Sequence, residues 1–295
     1  MQSLRTWLIA VRPVSFTASI IPVLVGTAIA AEDNFDGLLF ALALAGAVAI
    51  HAGTNLVNDY FDHVKGTDTP DALGPSGVIL QGTLSPNAVL RGGIVGFAIG
   101  AAIGLIITAM TGWPVLALGV ASVLAGYFYT ASPLSLAYRG LGEVVVFVFM
   151  GPVIVMGAYY VQVEHWSGDA FVASLPIGLL VAAILHANNV RDIENDRRNG
   201  KWTLAALAGR PLADYEFIAL TIGAFAVVAA MIIADAAPRT VLVTWLALPL
   251  AIQLVRMEWG ARSARALNGV LAQTAGLHMI FGALLALGFA IAVWT

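Results

Sequence analysis

The 295-residue chain has no cysteine, and only 11% of its residues are charged. The first absence excludes a disulfide framework, thiolate catalysis and cysteine-ligated zinc or iron–sulfur sites. The second leaves too little charge to clothe a soluble domain of this size. What fills the chain instead is apolar: 60% of residues are hydrophobic and the mean hydropathy is +0.89. That composition belongs to a polytopic membrane protein, and its 30 glycines and 12 prolines suit transmembrane helices. The net charge of −3 says little by itself, because in a membrane the placement of charge matters more. No nucleic-acid partner and no obligate protein partner is expected; the bilayer is.

Apolar runs of helix length predict nine spans, roughly 15–31, 37–57, 87–110, 114–130, 141–161, 170–190, 214–234, 238–256 and 268–294. No linker divides them, so residues 1–295 read as one all-α bundle, a single transmembrane domain. Arg5, Arg12, Lys65, Arg91, Arg139, Arg191, Arg197, Arg198, Lys201, Arg210, Arg256, Arg262 and Arg265 all fall on one side of that bundle, and only Arg239 on the other. The positive-inside rule predicts a cytoplasmic N-terminus in a plasma (inner) membrane and, with nine spans, Thr295 outside. The opposite loops near Glu32-Asp33, Gly112 and Glu164-His165 are short and carry no Lys or Arg. The N-terminus is not a signal peptide, since Arg12-Pro13 interrupts it before a span-length run. Leu4, Trp7, Leu8 and Val11 recur at helical spacing, so residues 3–11 form either a short interfacial helix or an extension of the first span.

Two acidic stretches interrupt this apolar chain. Of 17 Asp and Glu residues, six lie within 55–68 and 186–198: Asp59, Asp62, Asp68, Asp192, Glu194 and Asp196. Carboxylates at the end of a membrane helix are costly unless something binds them. Asn58 and Asp62 are four apart and share a helix face. Asn188, Asp192 and Asp196 repeat that spacing over two turns. Both stretches end spans on the predicted cytoplasmic side and can converge across the bundle. Oxygen-only donors favour Mg²⁺, which commonly bridges carboxylates to substrate phosphates. Asp59, Asp71 and Glu194 point off the shared faces and read as solvated or supporting groups.

These residues carry a resemblance. Asn-x3-Asp followed by a further Asp, with a later Asn-x3-Asp-x3-Asp, resembles the UbiA superfamily of intramembrane prenyltransferases. The segments NLVNDYFDHVKGTDTP, AYRGLGEVVVFVFMGPVIVMGAYYVQ and NNVRDIENDRRNGKWTLA are similar to the 1,4-dihydroxy-2-naphthoate polyprenyltransferases of menaquinone synthesis. The resemblance covers essentially the whole chain. It implies an all-α bundle around a central cavity, with Asn58, Asp62 and Asp68 as the first Mg²⁺–diphosphate motif and Asn188, Asp192 and Asp196 as the second. It also implies a polyprenyl diphosphate donor and an aromatic acceptor. Many members have a Lys shortly after a Tyr between spans four and five; here Tyr127, Tyr129 and Tyr138 are followed by Arg139, to which the diphosphate-gripping role is moved.

The chemistry sets further expectations. Breaking an allylic C–O bond leaves diphosphate and an allyl cation, so fixed positive charges must face the leaving group. Lys65, Arg139, Arg191, Arg197, Arg198 and Lys201 are candidates, although the positive-inside rule alone also explains a basic residue there. Tyr129, Tyr138 and Phe147 offer aromatic faces for the cation. His186 stands two residues before Asn188 and is a candidate to orient the acceptor. His51 lies about two turns before Asn58 and can reach the same cavity. His63 and His165 read as loop-exposed, His278 as mid-span. The Gly- and Pro-rich loop 63–86, with Pro70, Gly74-Pro75, Ser76 and Gln81, can form a lid. Three other readings stay open. One is the same chemistry on a lipid alcohol or tetrapyrrole, another is terpene cyclisation, and the third is a secondary transporter. Against the transporter, the two echoing acidic motifs lie on one side, where an inverted repeat would separate them.

Overall fold

A computed structural model describes residues 3–68, 76–261 and 263–294. The expected roles of Pro70, Asp71, Gly74-Pro75, Arg262 and Thr295 lie outside the described residues. Among the described residues there are helices and turns and no strand beyond one isolated bridge. The helices are α1 (Leu4–Val11), α2 (Thr17–Ala30), α3 (Gly37–Val64), α4 (Pro86–Thr111), α5 (Trp113–Phe128), α6 (Gly142–Val148), α7 (Ile154–Val163), α8 (Gly168–Arg191), α9 (Ile193–Arg198), α10 (Leu204–Ala208), α11 (Arg210–Ile233), α12 (Leu248–Gly260) and α13 (Ala264–Ala292).

Among the described residues, eight helical segments are long and apolar enough to cross a membrane, and the chain is a multi-pass membrane protein. The predicted fourth span is α5, of 16 residues, shorter than those eight. The expectation of nine spans therefore rests on α5, which at about 24 Å falls short of a hydrocarbon core of about 30 Å. None of its residues is fully buried, because one face lines an internal cavity and the other is exposed. Span five is not one regular helix: α6 and α7 are joined by a π-helical turn, Phe149–Val153, which contains Pro152. Proline has no amide proton to give the helix ladder, and the extra residue in the turn absorbs that loss.

α1 is a separate helix. Ser3 caps its start, and Arg12, at φ 55°, ends it in the left-handed region. A 3₁₀ turn, Pro13–Phe16, then leads into α2. Of the two sequence readings, the short N-terminal helix is the one observed.

Sequence explains the other helix ends. Asp36 caps α3 by accepting from the amides of Leu38 and Leu39. Ser85, Ser167 and Ser263 cap α4, α8 and α13. α3 runs for 28 residues, about 42 Å, so its final turns carry Asn58, Asp59 and Asp62 beyond an apolar layer of about 30 Å. The core joins α2, α7, α8, α11 and α13 through Ile21, Val25, Val155, Ile177, Phe225 and Phe281. α3 and α4 approach more closely: a Cβ on Gly96 would lie 2.9 Å from the Gly53 Cα, so glycine is what permits that contact. The outer surface is apolar, with Ile94, Ile99, Ile106, Leu242 and Leu246 exposed, as a lipid-facing bundle requires.

Candidate active site

The helices enclose a cavity of about 690 Å³. Its long bore is lined by small and aliphatic side chains of α3, α4, α5 and α7. Its other end gathers Asn58, Asp62, Asp68, Asn188, Asp192 and Asp196, together with Lys201. Two motifs 130 residues apart in sequence thus share one chamber.

The first motif keeps its helical face. Asn58 Oδ1 accepts from the Thr130 hydroxyl at 2.9 Å, and Asp62 Oδ1 accepts from the Tyr138 hydroxyl at 2.7 Å. Tyr138 in turn pairs with Thr67 Oγ1 at 2.7 Å. The second motif does not lie on one continuous helix. α8 stops at Arg191, Asp192 is the junction residue, and Asp196 stands on α9, although all three motif residues still face the cavity. Arg191 binds Asp192 through both carboxylate oxygens, at 2.8 and 2.5 Å. The same guanidinium donates to Asn188 Oδ1 and Asn268 Oδ1, each at 2.8 Å. It therefore fixes two motif residues from behind.

Crowded carboxylates resist ionising together. Burial, then Asp62 and Asp59, pushes Asp68 up to about 7. Burial, opposed by Lys201 and reinforced by Asp192 and Asp62, pushes Asp196 up to about 7. Burial by itself would lower Lys201, but the surrounding carboxylates, Asp62 first, outweigh it and raise the ammonium above its ordinary value. Its Nζ is 3.9 Å from Asp62 Oδ2. Six oxygen donors with no sulfur or imidazole among them, drawn together against their own repulsion, fit a hard divalent cation.

Several candidate residues take other positions. Arg139 is exposed, donates to the Pro133 carbonyl at 2.9 Å and does not line the cavity. The tight turn after Tyr138 aims it outward. Of the candidate cations, Lys201 is the one that lines the cavity beside the acidic cluster. Arg197 is likewise outside the cavity, with its Nε on the Ala206 carbonyl at 2.7 Å. Lys65 does not face the chamber either. Its Nζ is held by the Thr130 carbonyl at 2.5 Å and Ser135 Oγ at 2.6 Å, and lies 3.9 Å from the Tyr138 ring centroid. Burial lowers its pKa. It acts on the site by seating Tyr138, whose ring is thereby occupied. Phe147 packs on Gly178, leaving Tyr129 as the lining aromatic among those three candidates. His186 is fully buried and turned away from the chamber toward Glu143 and the Ala213 carbonyl. His63 ends α3 rather than lying in a loop.

Asp59 is neither solvated nor idle. It is buried, ion-paired with Arg12 and hydrogen-bonded by Ser76. Arg12, Ser15, Ser19, His51 and Asn55 form a polar wall of the same cavity. Asn55 donates to the Val11 carbonyl at 2.9 Å and to Ser15 Oγ at 3.0 Å; Ser19 pairs with His51 Nδ1 at 2.8 Å. Of this wall only His51 was predicted to reach the cavity. Arg12 counted only as a positive-inside charge, because its left-handed backbone conformation, which turns it inward, leaves no mark in hydropathy. The Trp202 amide donates to the Tyr138 carbonyl at 3.2 Å and joins the two loops that close the acidic end.

Known proteins resemble this chain in sequence and in fold. A model described as the UbiA prenyltransferase family matches residues 19–275. The chain is 33% identical over 283 residues to a protein named 1,4-dihydroxy-2-naphthoate octaprenyltransferase from Bacillus subtilis (strain 168), covering 95% of this chain and 90% of that one. It is 34% identical over 289 residues to the protein of the same name from Mycobacterium tuberculosis (strain ATCC 25618 / H37Rv), covering 98% and 97%. Among solved structures, a UbiA homolog from Archaeoglobus fulgidus bound to GPP and Mg²⁺ matches with a TM-score of 0.67 at 15% identity, covering 95% of this chain and 99% of that one. An apo UbiA homolog from Aeropyrum pernix K1 matches with a TM-score of 0.71 at 19% identity, covering 91% and 96%. At these identities the solved structures speak for the fold.

Proposed function

Because this chain belongs to the UbiA prenyltransferase family, we propose that it transfers a polyprenyl group from polyprenyl diphosphate to 1,4-dihydroxy-2-naphthoate. The products are demethylmenaquinone in its reduced, hydroquinone form (demethylmenaquinol), diphosphate and CO₂. One observation carries the reading: a single cavity joins a long apolar bore to an end bearing six oxygen donors and Lys201. The bore suits an isoprenoid chain and the acidic end suits a diphosphate held through Mg²⁺. The acceptor is read from the relatives' names, and the single-domain organisation, plasma-membrane location and cytoplasmic orientation from the spans and basic residues.

In this reading Asn58, Asp62, Asp68, Asn188, Asp192 and Asp196 would hold Mg²⁺. When bound, Mg²⁺ supplies positive charge to the departing diphosphate oxygens. The chain's own residues do the rest. Lys201 faces the same leaving group and stabilises the charge that grows as the allylic C–O bond breaks and its electron pair departs with diphosphate. Tyr138 and Arg191 keep Asp62 and Asp192 from turning away. The apolar wall excludes water, which would otherwise capture the allyl cation, and Tyr129 presents an aromatic ring to it. Arg12, Ser15, His51 and Asn55 offer the acceptor's carboxylate and hydroxyls a polar surface. A ring carbon then forms the new C–C bond, and the carboxylate leaves as CO₂, its bonding pair restoring the aromatic ring.

The test is an assay in detergent or membranes with Mg²⁺, a polyprenyl diphosphate and 1,4-dihydroxy-2-naphthoate, read by mass spectrometry. A demethylmenaquinone-type product is expected. Diphosphate release without that product would keep the metal-assisted cleavage and reject the acceptor. No release with any donor would reject the reading.

A further inference from the structure

Behind the cavity wall lies a second polar cluster that the transfer reaction does not use. Glu143 comes from the first turn of α6, His186 from α8 and Glu216 from the second turn of α11. One ligand atom from each lies within 4.8 Å of the other two. His186 Nδ1 is 3.3 Å from Glu143 Oε1 and 3.6 Å from Glu216 Oε1. His186 is fully buried, Glu143 is 4% exposed, and the Glu216 side chain is 28% exposed.

The tautomer of His186 is fixed by its surroundings. Its Nε2 is 2.9 Å from the Ala213 carbonyl, which can only accept, so the ring proton sits on Nε2. Neutral His186 therefore points the Nδ1 lone pair at two carboxylates. Three electron-rich groups meeting in a nearly dry interior need a positive charge between them. Glu143 supplies an independent sign of this. Its Oε1 accepts from Asn189 Nδ2 at 2.8 Å, while Oε2 is buried with no hydrogen-bond partner among the described residues.

We propose that Glu143, His186 and Glu216 form a second metal site, separate from the acidic cavity, that takes zinc. A tetrahedral ion with bonds of about 2.1 Å holds its ligand atoms about 3.4 Å apart, in line with the 3.3 and 3.6 Å separations. A ligating histidine that donates its other nitrogen to a backbone carbonyl is the usual supporting arrangement. An imidazole with two carboxylates selects zinc over Mg²⁺, which suits the all-oxygen cavity. The exposed side of Glu216 leaves room for a water as fourth ligand. The ion ties α6, α8 and α11 together, and through Asn189, which lines the catalytic cavity, it steadies the stretch of α8 that presents Asn188 and Asp192.

The experiment uses the full-length protein in detergent, stripped with chelator and re-equilibrated with one equivalent of ZnCl₂ in millimolar Mg²⁺. Bound metal is counted by mass spectrometry. The wild type is expected to keep one zinc per chain. E216Q, which preserves shape at the least buried ligand, is expected to bind zinc at least about tenfold more weakly. D192N is expected to keep its zinc, since it alters only the acidic cavity. Wild-type protein loaded with Co²⁺ should show the visible absorption of a four-coordinate nitrogen–oxygen site, a readout that needs no variant. Absence of stoichiometric zinc, absence of that cobalt band, or zinc lost from D192N would each overturn the proposal. In those cases a proton on His186 Nδ1, or zinc in the acidic cavity, takes its place.

Discussion

The Tyr138 hydroxyl donates to Asp62 Oδ1 at 2.7 Å, joining a loop residue to the end of a helix 76 positions earlier. Burial and the neighbouring Asp62 hold the phenol above its ordinary pKa, so it remains a donor throughout the working range. Replacing Tyr138 with Phe removes a hydrogen bond to a charged group, worth about 1.5–3 kcal/mol. In the transfer assay Tyr138→Phe should lower kcat/KM by about ten- to a hundredfold with the protein still monodisperse. An unchanged kcat/KM would mean that Asp62 needs no such restraint.

The acidic residues themselves should matter more. Asp62→Ala and Asp192→Ala each remove a charged donor from the cavity, and turnover should fall by about 10²-fold or more. Size-exclusion profiles should stay those of the wild type. Activity near wild type in either variant would remove that residue from the metal-binding set. EDTA should stop the reaction and Mg²⁺ restore it.

Two of the basic residues expected to grip the diphosphate, Lys201 and Arg139, should separate cleanly. Lys201 faces the acidic cluster and Arg139 faces outward. Lys201→Met should raise KM for the prenyl diphosphate by about tenfold, by loss of a charge-assisted contact. Arg139→Ala should leave that KM unchanged. A raised KM for Arg139→Ala would mean that its loop turns inward when substrate binds.

The pH dependence has a definite sign. Asp68 and Asp196 sit near 7 in the fold, far above an exposed Asp. Between about pH 4 and 7 the folded metal-free protein therefore binds more protons than the unfolded chain. Its stability should fall as pH rises through that window and level off above it. Metal ligation needs the carboxylates ionised, so apparent Mg²⁺ affinity should rise from pH 6 to pH 8, with protons released on binding. Calorimetric titrations in buffers of different ionisation heat measure both. Proton release of zero, or affinity independent of pH, would contradict the crowding of these two groups.

The glycine contact between α3 and α4 gives a stability test far from the chemistry. Gly96→Leu forces a side chain into the Gly53 backbone, and overpacking of this kind costs about 1–3 kcal/mol. A lower melting temperature in detergent is expected; an unchanged one would show that the two helices can separate without cost.

The sequence by itself determined the class of molecule. Composition and run length require apolar helices that satisfy their own backbone hydrogen bonds in lipid, whatever their arrangement. Four-residue spacing was enough to place Asn58 and Asp62 on one face of α3, because helical periodicity is local. Hydropathy could not see that α5 is short, that Pro152 sits in a π-helical turn, or that the second motif bends at Asp192. Only the tertiary structure brought residues 58–68 and 188–196 into one chamber. It also decided which basic residues face inward, aiming Lys201 at Asp62, turning Arg139 out to the Pro133 carbonyl and setting Arg12 against Asp59. A basic residue at a helix end satisfies the positive-inside rule in any direction. The direction is fixed by the turn beneath it and the carboxylate across from it, and neither is adjacent in sequence. His186 makes the same point. Its place beside Asn188 suggested a substrate contact, but a helix turns about 200° in two residues, which sends it to Glu143 and Glu216 on the far side of α8.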